Sequence, residues 1–468
     1  MTWLQPPIVL QVVHCLDEAI DVLAFFTLKD EATAIKAFPL FRKLQIGDKA
    51  GIVDFCQRVR LLPSTAIRAE IVYSWWGCQF VDLEYELDTW ASSVVELTVS
   101  AAYKLGYAPL LYDLSLCPRL ETLMINWSEV IDEEQVDEIL SAIGDSNTRV
   151  AHLRIYSRFP LFIFDMQYCT GLLAWIARPS SRRLRLDGLS FSADAAKALA
   201  QALLASTTLH TIKLWDSSNL GSEFVDRLSR PLPRQLRNLT LMLGEDWDDV
   251  ETLAAKLACS NVDRLNLDFT EYRDVTRVLA VLPPTLRTLK LSGVVITSFP
   301  LLPALRYLQL VYAEMTNDAI TGVAALLGAS TNLAKLDLVH SHLPADQLEA
   351  LFMALPRWLS RQKRMCIVRL SLTNTTAMLL ATAMGQTRNT QPVQLEVRGD
   401  DDSLHLPARL SLLTALGATS QMRMELESTH AQPNDLEAIQ THCKAHRIAY
   451  SLGYFLSPCR LPWTLPVA

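Results

Sequence analysis

The chain has 468 residues, half of them hydrophobic and 20% charged, which is the composition of a folded, core-rich protein and not of a disordered one. Its formal net charge of -7 argues against nonspecific nucleic-acid binding as the main task, and no apolar run is long enough to span a bilayer. The nine cysteines are scattered, odd in number and without a CxxC pair, the usage of free thiols in a reducing compartment. The start Met-Thr-Trp-Leu-Gln-Pro-Pro lacks the basic region of a secretory leader, so a cytoplasmic or nuclear location is expected.

Residues 1–45 read as a compact helical module. Pro6 and Pro7 sit where a first helical turn tolerates proline, and Ile8, Val9, Val12, Val13 and Leu16 form an apolar stripe behind them. Asp17 and Glu18 punctuate; Ile20, Val22, Leu23, Phe25, Phe26 and Leu28 then suggest a second helix, and Ala32, Ile35, Phe38 and Phe41 a third. Two roles fit these helices. One is a cap that shields the open end of a repeat array. The other follows from a family pattern: Leu4, Pro6, Val9, Leu10, Val13, Leu16, Asp21, Leu23 and Ala24 fall near the positions of an F-box, which the stretch resembles. Gln5 intervenes before the first proline, Thr27, Leu28 and Lys29 replace the usual Cys-Lys or Cys-Arg, and the late tryptophan is missing. The resemblance implies docking on a Skp-type adaptor through Leu4, Pro6, Val9, Leu10, Val13 and Leu23.

Residues 46–92 form a linker or capping region in which Ile71, Tyr73, Trp75 and Trp76, then Phe80, Val81 and Leu83, suggest strands or irregular first repeats. From 93 to 468 one apolar signature returns roughly every 25 to 30 residues, the mark of a solenoid. A leucine-like residue is followed three positions on by a leucine and two positions on by another. The earliest are Val94, Leu97, Val99; Leu120, Leu123, Ile125; and Val150, Leu153, Ile155. The most regular run from Leu209, Ile212, Leu214 through Leu236, Leu239, Leu241 and Leu286, Leu289, Leu291 to Leu333, Leu336, Leu338. Ile367, Leu370, Leu372 and then Leu395, Val397 and Met424, Leu426 extend the pattern to about thirteen units. In a strand, residues two apart share a face, so stacked parallel strands turn these leucines into a continuous buried ladder. The returns read as helices. Ser192 stands as N-cap before the stripe Ala193, Ala196, Leu199, Ala200, Leu203 and Leu204, and Asn317 stands likewise before Ala319, Ile320, Val323, Leu326 and Leu327. After Met424 a helix from Asn434 toward His446 and a strand at Ile448, Tyr450 and Leu452 close the array, and Pro458, Pro462 and Pro466 suit a terminating cap.

The unit resembles the leucine-rich repeat of the ribonuclease-inhibitor class, with Asn219 after Leu214 matching the family's asparagine and most other repeats lacking it. The expected fold is therefore an α/β leucine-rich repeat solenoid, a horseshoe with parallel strands on the concave face and helices on the convex face, behind a small helical N-terminal domain.

No phosphate loop, dinucleotide fingerprint, HExxH or GxSxG is present, so an enzyme reading has no motif to stand on and no cofactor is expected. The nearest approach to a metal cluster is His442, Cys443 and His446, which does not close a zinc site by itself. The acids Glu245, Asp246, Asp248, Asp249 and Asp400 to Asp402 lack the spacing of a calcium loop. The residue between the two inward leucines faces the concave surface, giving the row Thr98, Met124, Arg154, Arg185, Lys213, Thr240, Asn266, Lys290, Gln309, Asp337, Ser371, Glu396, Glu425. Cations come early and acids late, and His152, Tyr156, Arg183, Trp215 and Arg264 border the early part. With Arg154, Arg185, Lys213 and Lys290 they form a candidate site for an acidic or phosphorylated protein segment. The expected function is noncatalytic protein binding. With the F-box resemblance it becomes the substrate receptor of a cullin-type ubiquitin ligase; without it, a stand-alone scaffold or inhibitor. A metal-dependent enzyme is the remote alternative.

Overall fold

A strand with an apolar residue at every second position has one face to hide, and nothing hides it until neighbours stack beside it and helices cover it. The structure, a computed structural model, describes residues 44–46, 67–72, 94–101, 114, 117–127, 133–144, 149–157, 162–226, 232–245, 247–341, 348–388, 391–399, 404–419, 421–426, 433–451 and 454–456. The expected N-terminal helices and all six adaptor-docking positions lie outside the described residues, as do Trp75 and Trp76. The chain divides into two compact units, Met1–Leu236 and Arg237–Ala468.

The first unit runs β1 (Leu44–Ile46), β2 (Ile67–Val72), β3 (Val94–Ala101), β4 (Thr122–Trp127), α1 (Glu133–Gly144), β5 (His152–Ser157), β6 (Ile163–Phe164), α2 (Met166–Ile176), β7 (Arg183–Asp187), β8 (Ser190–Phe191), α3 (Ala193–Ala205), β9 (Thr211–Trp215) and α4 (Ser218–Asp226). β1, β2, β3, β4, β5, β7 and β9 pair in that order, every pair parallel; β6 and β8 pair separately. The register aligns Leu97, Leu123, Leu153, Leu184 and Ile212 in one ladder, and all five are buried. At about 1.5 to 3 kcal/mol for each fully buried aliphatic side chain, this ladder and its twin from Ile125 to Leu214 drive the stacking. Ala69 and Ile71 pair with Leu97 and Val99, and Leu44 and Ile46 pair with Ala69 and Ile71, so two further strands continue both ladders ahead of Val94.

The helices cover the leucine face. α1 and α2 approach to backbone contact, because a Cβ built on Gly171 would lie 1.8 Å from the Leu140 carbonyl oxygen. Trp175, wholly buried, donates its indole N–H to the Val150 carbonyl at 2.8 Å and ties α2 to the chain two residues before β5. Asn219 lies in α4 and donates its side-chain amide to the Phe191 carbonyl one repeat earlier. Ser192 does precede α3, yet its side chain makes no capping bond.

The second unit runs β10 (Asn238–Leu243), α5 (Val250–Ala258), β11 (Arg264–Asp274), α6 (Thr276–Ala280), β12 (Thr288–Ile296), β13 (Tyr307–Met315), α7 (Asn317–Ala329), β14 (Lys335–Leu338), α8 (Leu348–Ser360), β15 (Cys366–Leu372), α9 (Asn374–Met384), β16 (Val393–Gly399), α10 (Leu406–Ala418), β17 (Met422–Leu426), α11 (Pro433–Ala445), β18 (Ala449–Ser451) and β19 (Tyr454–Leu456). β10 to β17 are parallel in chain order. Each unit is thus an open, parallel-strand α/β solenoid of the leucine-rich repeat kind.

Four details differ from the expected pattern. Residues 297–306, between β12 and β13, hold no helix; the interval from Leu289 to Leu308 is too short for one, and buried Phe299 and Leu302 cover the strands instead. The cap of α7 is Thr316, whose hydroxyl accepts from the Ala319 N–H at 3.4 Å, with Asn317 already inside the helix. In β15 the frame is two residues earlier than expected: Leu336 pairs with Val368 and Leu338 with Leu370, so the residue between is Arg369 and not Ser371. Cys366, Val368, Leu370 and Leu372 are all buried, so period two alone offers several frames and pairing with β14 selects one. At the end, β18 does not join β17. β19 lies between them, antiparallel to both, which ends the parallel run.

Candidate functional site

The first unit presents a grid on the face opposite its leucines. β4 to β9 align Thr122, His152, Arg183 and Thr211 in one row, Met124, Arg154, Arg185 and Lys213 in the next, and Asn126, Tyr156, Asp187 and Trp215 in a third. The seven first-unit positions expected from the sequence, His152, Arg154, Tyr156, Arg183, Arg185, Lys213 and Trp215, are therefore brought together on three neighbouring strands. The other two, Arg264 and Lys290, stand on β11 and β12 of the second unit.

The arginines of the middle row converge on Asp187 in the third, an acid absent from the row expected from the sequence. Its carboxylate is 2% exposed and meets Arg185 Nε at 2.6 Å and Arg154 Nη2 at 3.6 Å. Burial pushes its pKa up in spite of both guanidinium groups, because removing a carboxylate from water costs several kcal/mol before any partner is counted. Its Oδ1 and the Arg154 Nε have no hydrogen-bond partner. The arginine side chains keep 37% and 39% exposure, so each pairs with Asp187 while showing solvent a remaining edge. Gly188 follows with φ +68, a conformation that spares glycine the clash other residues meet; its N–H donates to the Trp215 carbonyl at 2.9 Å. Trp215 ends the third row with 38% exposure. On the other flank, His152 Nδ1 lies 3.1 Å from the Thr122 hydroxyl. Burial and then the charge of Arg183 lower its pKa.

The second unit uses the same rows differently. Lys290 and Lys335 hold their ammonium groups 4.9 and 4.3 Å from the ring centroid of Tyr307. The Tyr307 hydroxyl donates to Gln309 at 2.8 Å, and the Gln309 amide donates to Asp337 at 3.3 Å. Arg369 then joins Asp337 at 3.6 Å to Glu396 at 2.5 Å, and Gln394 donates to Glu396 at 2.8 Å. Burial raises the Asp337 pKa and lowers those of both lysines; burial, reinforced by Asp337, pushes the Tyr307 phenol to about 12. Lys290 thus belongs to a network whose cations and anions answer one another. Arg264 is exposed at the edge of its strand row.

No family model and no curated protein sequence matches this chain. Among solved structures, it is similar to a chain in a crystal structure of a Rad7 and Elc1 complex in yeast, at 14% identity over 75% of this chain and 76% of that one, with a TM-score of 0.36.

Among the described residues no group of three or more His, Cys, Asp or Glu side chains could hold a metal ion, and no helix is long and apolar enough to cross a membrane. His442 and His446 do meet, with ring centroids 4.4 Å apart. His442 Nε2 lies 3.0 Å from the Thr414 hydroxyl, while Cys443 is buried and its thiol is pushed up to about 11, far from the thiolate a metal requires. Of the acidic loop, Asp249 serves as the cap of α5, accepting from the Thr252 N–H at 2.9 Å.

Asp187 had a signal in the sequence. It stands two residues after Arg185, where period two returns a side chain to the same face. Arg369 had none, because its frame depends on a neighbouring strand.

Proposed function

We propose that this chain is a noncatalytic protein-binding protein and that the face of β5, β7 and β9 takes an acidic or phosphorylated segment of its partner. One observation carries the reading: those three strands bear Arg154, Arg183, Arg185 and Lys213 against a single acid, Asp187. An excess of cations on a half-exposed sheet focuses a positive field in a protein whose net charge is -7. Guanidinium groups also match the geometry of carboxylate and phosphate. Trp215 offers an amphipathic anchor at the row's end. In the same reading, residues 1–45 are an F-box-like module that docks on a Skp-type adaptor through Leu4, Pro6, Val9, Leu10, Val13 and Leu23, and the protein is the substrate receptor of a cullin-type ubiquitin ligase, with no cofactor.

The test for the face uses a fluorescent peptide bearing two phosphoserines among glutamates, titrated by anisotropy at two salt concentrations. Binding is expected to weaken with salt. The variant combining Arg154→Gln, Arg185→Gln and Asp187→Asn removes the cluster without stranding a buried charge, and it should lower affinity at least about tenfold, equivalent to roughly 1.4 kcal/mol. Unchanged affinity in that variant moves the binding site elsewhere. For the module, purified Skp-type adaptor should co-elute with the full chain and fail to do so after Leu10→Glu with Val13→Glu. Absence of co-elution with the unmodified chain leaves a stand-alone scaffold.

A further inference from the structure

Two residues past the second ladder leucine of β12, β13 and β14 the backbone passes through one repeated position. Gly293 there has φ +67, and the equivalent residues of the next two strands are Tyr312 with φ 49 and His340 with φ 55. Left-handed backbone is natural for glycine and strained for a tyrosine or histidine. Strain of this kind persists where the surroundings hold it, and it marks a place worth reading for function. The neighbouring strand contributes Tyr272, the last of the four residues 269 to 272 that bulge opposite Gly293, directly before the Arg273 that pairs with Val294. Tyr272 is 48% and Tyr312 52% exposed, among the most exposed large side chains described.

The residues that directly follow the two tyrosines, Arg273 and Ala313, both pair with Val294. Two strand spacings, about 9.6 Å, therefore separate β11 from β13 at this level, and a planar group packed between two ring faces needs about 7 to 8 Å. His340 stacks on Tyr312 with centroids 5.3 Å apart and an interplanar angle of 14°. His340 follows β14 and Gly293 lies in β12, so the imidazole braces the ring from the side of β13 away from Gly293. One step further along the strands, Asp274, Val295 and Glu314 are in register, with both acids exposed. Beyond them Thr276, Thr297 and Thr316 form a hydroxyl ladder, with the Thr276 and Thr297 hydroxyls 2.9 Å apart and Thr316 donating to the Thr297 carbonyl at 2.8 Å. The rim is thereby held in place before anything binds.

We propose that this notch receives a cationic side chain, an arginine of a protein partner, between Tyr272 and Tyr312 and against the carboxylates of Asp274 and Glu314. Aromatic faces attract cations, and guanidinium stacks on them. The resident cation does not compete: Arg273 is engaged by the carbonyls of Trp247 and Glu245 and by the Glu271 carboxylate at 3.3 Å. A nucleobase would also stack between two tyrosines, but its phosphates would meet Asp274, Glu314 and Glu271, so the charge favours arginine.

The probe is a fluorescein-labelled octapeptide of alternating glycine and arginine, titrated by anisotropy into the full chain near physiological salt. The same peptide with citrulline in place of arginine should bind at least about fivefold more weakly, because shape is kept and charge removed. Tyr312→Gly deletes the ring and relieves the strained backbone, so it should lose at least about fivefold in affinity with its thermal midpoint kept or raised. Tyr312→Phe should bind within about twofold of the unmodified chain. No binding by the unmodified chain, equal binding by Tyr312→Gly, or displacement of the peptide by an octathymidine oligonucleotide would each overturn the proposal.

Discussion

The helix-free faces of the two units are built on one register yet solve the charge problem in opposite ways. In the first, Arg154 and Arg185 share a single buried acid and retain exposed edges. In the second, Asp337 and Glu396 bracket Arg369 while Lys290 and Lys335 sit over Tyr307. A row of charged residues on a repeat face is thus not a partner site by virtue of its residue types. What matters is how many acids the neighbouring strands set against the cations, since a paired network contributes structure and a local excess of positive charge attracts an acidic partner.

The leucine ladders beneath both faces should not distinguish the units, and breaking them gives the largest effects. Leu184→Asp and Leu289→Asp each place a carboxylate at a fully buried ladder position, and each should destabilise by several kcal/mol, about 3 to 5, read by denaturant unfolding. A mild effect at either position would mean that the ladder of that unit is not load-carrying for its fold.

The charged layers should separate the units clearly. Arg369→Ala leaves Asp337 and Glu396, both nearly buried, without their shared guanidinium, and should cost about 2 to 4 kcal/mol. Arg154→Ala removes the longer of two contacts and leaves Arg185 on Asp187 at 2.6 Å, so the loss should stay below about 1 kcal/mol. Comparable losses in the two variants would erase the contrast between a matched network and a surplus.

A smaller effect is expected from acid. Burial holds the Asp187 and Asp337 carboxyls above the ordinary range, so the native chain keeps protons that the unfolded chain has released. The stability this confers is fully present below the unfolded value of about 3.9 and is lost as pH rises through each raised native value. Thermal midpoints measured upward from about pH 4 should therefore show a shallower decline in Asp337→Asn than in the unmodified chain. For Asp187→Asn the sharper readout is binding. Deleting the one acid among four cations should tighten the phosphoserine peptide by about threefold, the reverse of its effect on a purely structural pair.

Much of the architecture was legible because its cause is local. Leucines two apart with a third residue three positions ahead specify a strand with one apolar face, and their recurrence specifies parallel stacking, whatever lies between. Helix positions such as Ala196, Leu199, Ala200 and Leu203 followed from spacing in the same way. The grid of His152, Arg154, Arg183, Arg185 and Lys213 followed too, since equal frames in consecutive repeats put equal positions side by side.

Other features depend on strands that are distant in sequence, and only the tertiary structure decided them. β15 carries inward apolar residues at four alternate positions, so its frame, and with it the place of Arg369, was set by pairing with β14. The burial of Asp187 depends on β5 and β9 flanking its strand and on Arg154 reaching it from β5, and no single strand records that crowding. The same holds for the aromatic rim. Tyr272 reaches the level of Tyr312 only because four residues of β11, 269 to 272, oppose the single Gly293 of β12, and an interruption of register between neighbours leaves no periodic trace in either strand alone.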